Sequence, residues 1–358
     1  MSSLWRLTST LLLAWSLTIT PRAHAQITRD NLLVFQDGQG SVQAVRTREE
    51  WETRRQAILR AAQEIMGPLP GPEKACPLDV QTLEETDCGT FVRRLVSYMS
   101  EPGSRVRAYL LIPKQVLAGE RSAAGVLCLH PTDNALGHKV VVGLGGKEHR
   151  QYAAELAERG FVTIAPPYPM LADYQPDLAA LGYVSGTMKA IHDNRRALDL
   201  LDTLPFVRHG SYATIGHSLG GHNSVFTALF DGRLRVIVTS CGLDSFRDYK
   251  GGDIRGWTHP RYMPRLLAYR ERLNELPIDF AEIIAALAPR TVFISAPLHD
   301  DNFKAESVDR LVANARPVFE LLGAGDRLIL EHPDGTHDFQ DPVREKAYQL
   351  IQNALGAK

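Results

Sequence analysis

Gly216-His217-Ser218-Leu219-Gly220-Gly221 carries the most chemistry in this chain of 358 residues. A serine between glycines at G-x-S-x-G spacing is weak evidence alone, but its surroundings sharpen it. A β-type run, Tyr212-Ala213-Thr214-Ile215, leads in, and a helical stretch, 219–230, leads out. Strand, turn and helix in that order put a serine hydroxyl on a sharp turn at the carboxyl edge of a sheet, with glycines leaving room for the chain crossing. A hydroxyl is a poor nucleophile, so acyl transfer from it needs a base to take its proton and an acid to orient the base.

For a nucleophile on such a turn the order along the chain is serine, carboxylate, histidine. The strand expected at 291–295 runs into Leu298-His299-Asp300-Asp301-Asn302, and that at 328–331 into His332-Pro333-Asp334-Gly335-Thr336-His337-Asp338. His337, beyond a tight turn, is the candidate base. His332 follows its strand directly and reads as structural. Asp300 is the candidate acid and Asp301 the alternative; the one not used would cap the next helix or pair with a cation. A developing oxyanion needs two N–H donors. Leu219, after the serine and at a helix N-terminus, supplies one, and the loop His130-Pro131-Thr132-Asp133-Asn134 supplies the other. Pro131 has no N–H, so Thr132 is the candidate, with Asp133 behind it. His217 is expected to line the pocket. Trp257 and Tyr262, in an aromatic-rich stretch, are candidate substrate-binding residues on a lid or pocket wall, or else pack the body. His130, Asp133 and His138 are ligand types without a metal-binding spacing, so no metal or organic cofactor is implied. Gly143-Leu144-Gly145-Gly146 lacks the full G-x-G-x-x-G pattern and reads as a loop.

The elements that position these residues follow from apolar periodicity. Strands are expected at 91–98 and 106–112 as a hairpin, and at 125–129, 161–165, 212–216, 235–240, 291–295 and 328–331. Helices are expected at 48–66, 148–159, 188–204, 219–230, 307–322 and 342–355. This alternation specifies an α/β fold: a mostly parallel central sheet with helices on both faces. Residues 243–288 lack a strand and form an insertion before the acid-bearing strand, with helices expected across 265–287.

Three segments divide the chain. Residues 1–25 read as a secretory signal: Arg6, an apolar run and Ala23-His24-Ala25 before Gln26. Residues 26–89 are expected as a helical and loop segment packed on the core, and 90–358 as the catalytic domain. Export makes a Cys76–Cys88 disulfide possible, whereas Cys128 lies inside an apolar run, Cys241 ends another, and both read as buried hydrophobes. With 40 Lys+Arg against 41 Asp+Glu, and 44% hydrophobic residues, the chain is neither disordered nor marked by a basic footprint for nucleic acid.

The elbow 216–221, the Leu298–Asn302 turn and Gly335-Thr336-His337-Asp338-Phe339 resemble the α/β-hydrolase superfamily, near the exported dienelactone-hydrolase, acetyl-xylan-esterase-like and prolyl-oligopeptidase-like enzymes. The resemblance spans about residues 90–355. It implies an α/β-hydrolase fold and a secreted serine esterase with Ser218, Asp300 and His337 as the triad. The substrate would be a small-molecule or glycan acyl ester, with no nucleic-acid partner and no membrane attachment after signal cleavage, in the periplasm or outside the cell. A serine peptidase or amidase, and a catalytically silent binding protein of the same fold, are the alternatives. The chain departs from three patterns. Dienelactone hydrolases carry a cysteine nucleophile, prolyl oligopeptidases carry a propeller, and glucuronoyl esterases use a G-C-S-R-x-G elbow where this chain has Leu219.

Overall fold

The computed structural model describes residues 31–36 and 41–356. The expected signal segment, 1–25, lies outside the described residues. The described chain opens with a small hairpin of β1 (Val34–Gln36) and β2 (Val42–Ala44), then α1 (Arg48–Met66), whose Thr47 and Glu50 form a reciprocal capping box. Next come β3 (Gln81–Asp87), β4 (Phe91–Glu101), β5 (Ser104–Pro113), the short α2 (Lys114–Leu117) and β6 (Ala123–Leu129). Then α3 (Tyr152–Glu158), β7 (Val162–Ala165), α4 (Gly186–Asp202), β8 (Val207–His217), α5 (Leu219–Phe230) and β9 (Leu234–Ser240) alternate. After the insertion, α6 (Phe280–Ala285), β10 (Thr291–Ser295), α7 (Ala305–Leu321), β11 (Leu328–Glu331) and α8 (Asp341–Leu355) complete the order.

Nine strands form one sheet in the order β11-β10-β9-β8-β6-β7-β5-β4-β3. The six from β11 to β7 are mutually parallel, and β5, β4 and β3 extend the sheet antiparallel. Side chains alternate between two buried faces, as a sheet covered on both sides requires. On β6, Ala123, Leu127 and Leu129 join the core under α1, α4, α5 and α7, while Ala124, Val126 and Cys128 join the core under α3 and α8.

Three expectations are corrected, and the open question of a Cys76–Cys88 bond is answered. The first segment does not end in loop at residue 89, because β3 pairs with β4 and the sheet crosses that boundary. The helix expected from 148 starts at Tyr152, since His149 has a left-handed φ of 62°. In the insertion, the helices expected across 265–287 reduce to 3-10 turns at Pro264–Tyr269 and Leu273–Glu275 and the short α6. Pro277 breaks the run, and Asp279 caps a new helix with Glu282. Cys76 and Cys88 are both free thiols.

Candidate active site

Ser218 sits where β8 ends and α5 begins, with φ 54° and ψ −119°, a strained conformation for a residue with a side chain. Neighbouring chain enforces it. The Ser218 N–H donates to the Ser240 carbonyl at the end of β9 (2.8 Å), and the Ser218 carbonyl accepts from the Gly221 and His222 amides. The flanking glycines are sterically required. A Cβ on Gly216 would strike the Gly220 carbonyl, and one on Gly220 would strike the Leu129 carbonyl at the end of β6.

The loops after β10 and β11 bring a carboxylate and an imidazole to this turn. The Ser218 hydroxyl lies 2.9 Å from His337 Nε2. His337 Nδ1 lies 2.9 Å from Asp300 Oδ2 and 3.0 Å from Oδ1. A carboxylate only accepts, so Nδ1 carries the proton and Nε2 presents its lone pair to the hydroxyl. Asp300 Oδ1 also accepts from the Asn302 and Phe303 amides (2.8 and 3.1 Å). Burial pushes the Asp300 carboxyl up, but the His337 bond and charge, with those amides, outweigh it and hold its pKa below the usual range. Asp301 is exposed, and its carbonyl accepts from Lys250. His332 is occupied elsewhere, by the Ala296 carbonyl (2.6 Å) and Asp309 (2.9 Å).

A cavity of about 280 Å³ opens over Ser218 and His337, walled by Thr132, Asp133, Lys147, Arg150 and His217 among others. The N–H groups of Leu219 and Thr132 donate to no other group among the described residues. His130 braces the Thr132 loop from beneath. Its Nδ1 donates to the Pro131 carbonyl (2.7 Å), and its Nε2 accepts from the Tyr168 amide (2.9 Å). Burial lowers the His130 pKa to about 4 against the Pro131 bond, which favours charge. Both ring nitrogens are thus used, leaving His130 no atom for a metal.

His217 lies under the site, its ring centroid 4.9 Å from that of His337. Burial first, then the charges of Arg150, His337 and Lys147, push its pKa well below the ordinary value, so it is neutral. Tyr262 reaches the rim, with its hydroxyl 3.4 Å from Thr132 Oγ1. Trp257 does not line the cavity. It is buried against His222, Phe246 and Phe280, and it also packs on Phe303, which in turn packs on His337.

Two neighbours of the site had faint or no sequence signal. Asp338 adjoins His337 and is gripped by Arg150 and by His149 Nδ1 (2.6 Å). Cys241, with φ 48°, places its Sγ within 4.8 Å of the Asp300 and His337 ligand atoms. Burial, then the Asp300 charge, raises its thiol pKa, so it stays protonated, and it donates to the Asp338 carbonyl (3.5 Å). Those three groups are the set that could take a metal among the described residues, but the carboxylate and imidazole are engaged with each other.

A serine on a strand-to-helix elbow, with its partners on loops after two later strands of a mostly parallel sheet, defines the α/β-hydrolase fold. No protein-family model matches the chain. Its sequence is 26% identical over 166 residues to YtaP of Bacillus subtilis, named as a hydrolase, covering 46% of this chain and 53% of that one. It is 27% identical over 136 residues to the carbohydrate esterase MZ0003 of an unknown prokaryotic organism, covering 36% and 32% of the two chains. The chain therefore spans about half or less of these curated relatives. Among solved structures, a glucuronoyl esterase from Solibacter usitatus superposes with a TM-score of 0.72 at 19% identity, over 90% of this chain and 97% of that one. At that identity the likeness is one of fold.

Proposed function

We propose that this protein is a serine hydrolase that cleaves carboxylic esters through an acyl-enzyme on Ser218. The observation that carries this reading is the continuous relay from the Ser218 hydroxyl through His337 to the buried Asp300. In the reaction, Ser218 Oγ attacks the ester carbonyl while its proton passes to His337 Nε2. Asp300 holds the Nδ1 proton and stabilises the imidazolium. The N–H groups of Leu219 and Thr132 receive the oxyanion, with the strained elbow aiming the first of them. His337 then protonates the leaving alcohol, and water, deprotonated by the same nitrogen, releases the acid.

The carbohydrate esterase and glucuronoyl esterase among the similar proteins favour an acylated glycan or small ester as substrate. In this reading residues 1–25 direct export, and the sheet with its helices is the catalytic domain, its insertion at 243–288 bordering the pocket through Tyr262. No helix among the described residues is long and apolar enough to cross a membrane.

A fluorophosphonate probe tests the nucleophile. The wild-type protein should be labelled at one serine and Ser218→Ala should not. Undiminished labelling of the variant would falsify the assignment. Turnover of aryl acetate should fall by roughly 10³-fold or more in the same variant.

A further inference from the structure

Gly143-Leu144-Gly145-Gly146-Lys147-Glu148-His149-Arg150 takes no part in the relay, yet its last residues form one wall of the cavity. Its glycines shape that wall. Gly143, Gly145 and Gly146 have φ of 76°, 106° and 94°, and a Cβ on Gly146 would come within 2.6 Å of Val140 Cγ1. The tight wrap over Val140 delivers Lys147 and Arg150 to the cavity beside Ser218 and His337.

Arg150 is only 5% exposed. All its side-chain contacts run through Nη1, to Asp338 Oδ1 and to the Glu148 and His149 carbonyls (3.3 and 3.4 Å). Its Nε and Nη2 have no acceptor among the described residues, nor has Lys147 Nζ. The carboxylates beside the relay are committed, and Asp133 on the cavity wall is held through one oxygen. Asp338 holds Arg150 and His149, Asp300 holds His337, and Asp133 Oδ1 accepts the Ala135 and Leu136 amides (2.9 and 2.6 Å). Arg150 lines the cavity and, held through Nη1 alone, keeps its Nε and Nη2 donors available there, and a carboxylate matches that fork in shape and charge.

We propose that Lys147 and Arg150 form an anion subsite that selects esters whose acyl part carries a free carboxylate. Arg150 Nε and Nη2 clasp that carboxylate, and the more exposed Lys147 closes on it from the rim. The inference rests on the ester-hydrolase reading of Ser218.

The test compares p-nitrophenyl hemiglutarate with the neutral p-nitrophenyl pentanoate. The wild-type kcat/KM should favour the anionic ester by about tenfold or more, the size of one charge-assisted contact. In Lys147→Gln, and in Arg150→Lys, which keeps the charge but loses the fork, that ratio should fall severalfold toward one. Glutarate binding, measured by calorimetry on Ser218→Ala, reads the subsite without turnover and should weaken when Lys147→Gln is added. A wild-type ratio near one, or a ratio unchanged in both variants, overturns the subsite and leaves the esterase reading standing. Glutarate binding that depends on Lys147, with neither ester hydrolysed, keeps the subsite and overturns the esterase reading. Neither hydrolysis nor glutarate binding overturns both.

Discussion

Asp300 and Asp301 are adjacent in the chain and differ in everything that matters to an imidazole. Asp300 offers both carboxylate oxygens to His337 Nδ1 and is steadied by two backbone amides, whereas Asp301 faces solvent. Asp300→Asn can present an amide N–H to Nδ1, which favours the tautomer that protonates Nε2 and removes the lone pair facing Ser218. We expect that variant to lower kcat by roughly 10³–10⁴-fold with KM little changed, and Asp301→Asn to stay within about threefold of wild type. Steady-state kinetics on one aryl ester decides. Equal losses in the two variants would reassign the acid. The turn Leu298–Asn302 showed that a carboxylate stands here, but not which one turns inward, because the direction of a side chain in a loop is set by what packs around it.

Among the elements, the β8–α5 elbow is the most constrained. It threads between the carboxyl ends of β6 and β9, and Gly220 touches the Leu129 carbonyl with no space for a methyl group. Backbone cannot yield as a flexible side chain can, so Gly220→Ala should lose about 1–3 kcal/mol or more of stability. It should also lose activity beyond what unfolding explains, since it displaces the Leu219 N–H. A urea midpoint and residual turnover of the folded fraction measure the two effects. An alanine variant with wild-type midpoint and rate would show that the crossing is looser than described. Helix α4 illustrates the opposite case. Asp193 is fully buried and pairs with the equally buried Lys189 at 2.5 Å. The pair's i, i+4 spacing is local, but what covers it is not: β4 lies over it, and Glu101 from that strand joins Lys189 at 3.0 Å.

For the whole molecule, folding buries His130, His138 and His222 in their neutral form, as it does His217. Burial lowers His130 to about 4, aided by little and opposed by its Pro131 bond, and lowers His138 and His222 to about 3 each. Their ordinary value is near 6.5, so between pH 6.5 and about 4 the unfolded chain binds protons that the folded chain refuses. Stability therefore falls as pH falls, by up to ~1.4 kcal/mol per pH unit for each histidine. His332 works in the opposite sense. Burial disfavours its charge, but the Ala296 carbonyl and Asp309 outweigh that and raise its pKa. Carboxylates held low, such as Asp300 and Asp338, add their losses only at lower pH. The urea midpoint should drop steadily from pH 6.5 to 4.5. A flat midpoint over that window would mean the three rings are solvated in the native protein.

Sequence alone determined the α/β alternation, several element boundaries to the residue (α1, α5, β10 and β11), and the elbow that carries Ser218. These are local properties: apolar period, capping residues and glycines answer to neighbours within a few positions. Tertiary structure decided that β3 extends the sheet, that Trp257 belongs to the core, that Asp300 rather than Asp301 meets His337, and that Lys147 and Arg150 face Ser218. Arg150 and Asp338 lie 188 positions apart in the chain. No periodicity spans that separation; only the parallel run of strands from β6 to β11 in one sheet brings such side chains to one rim.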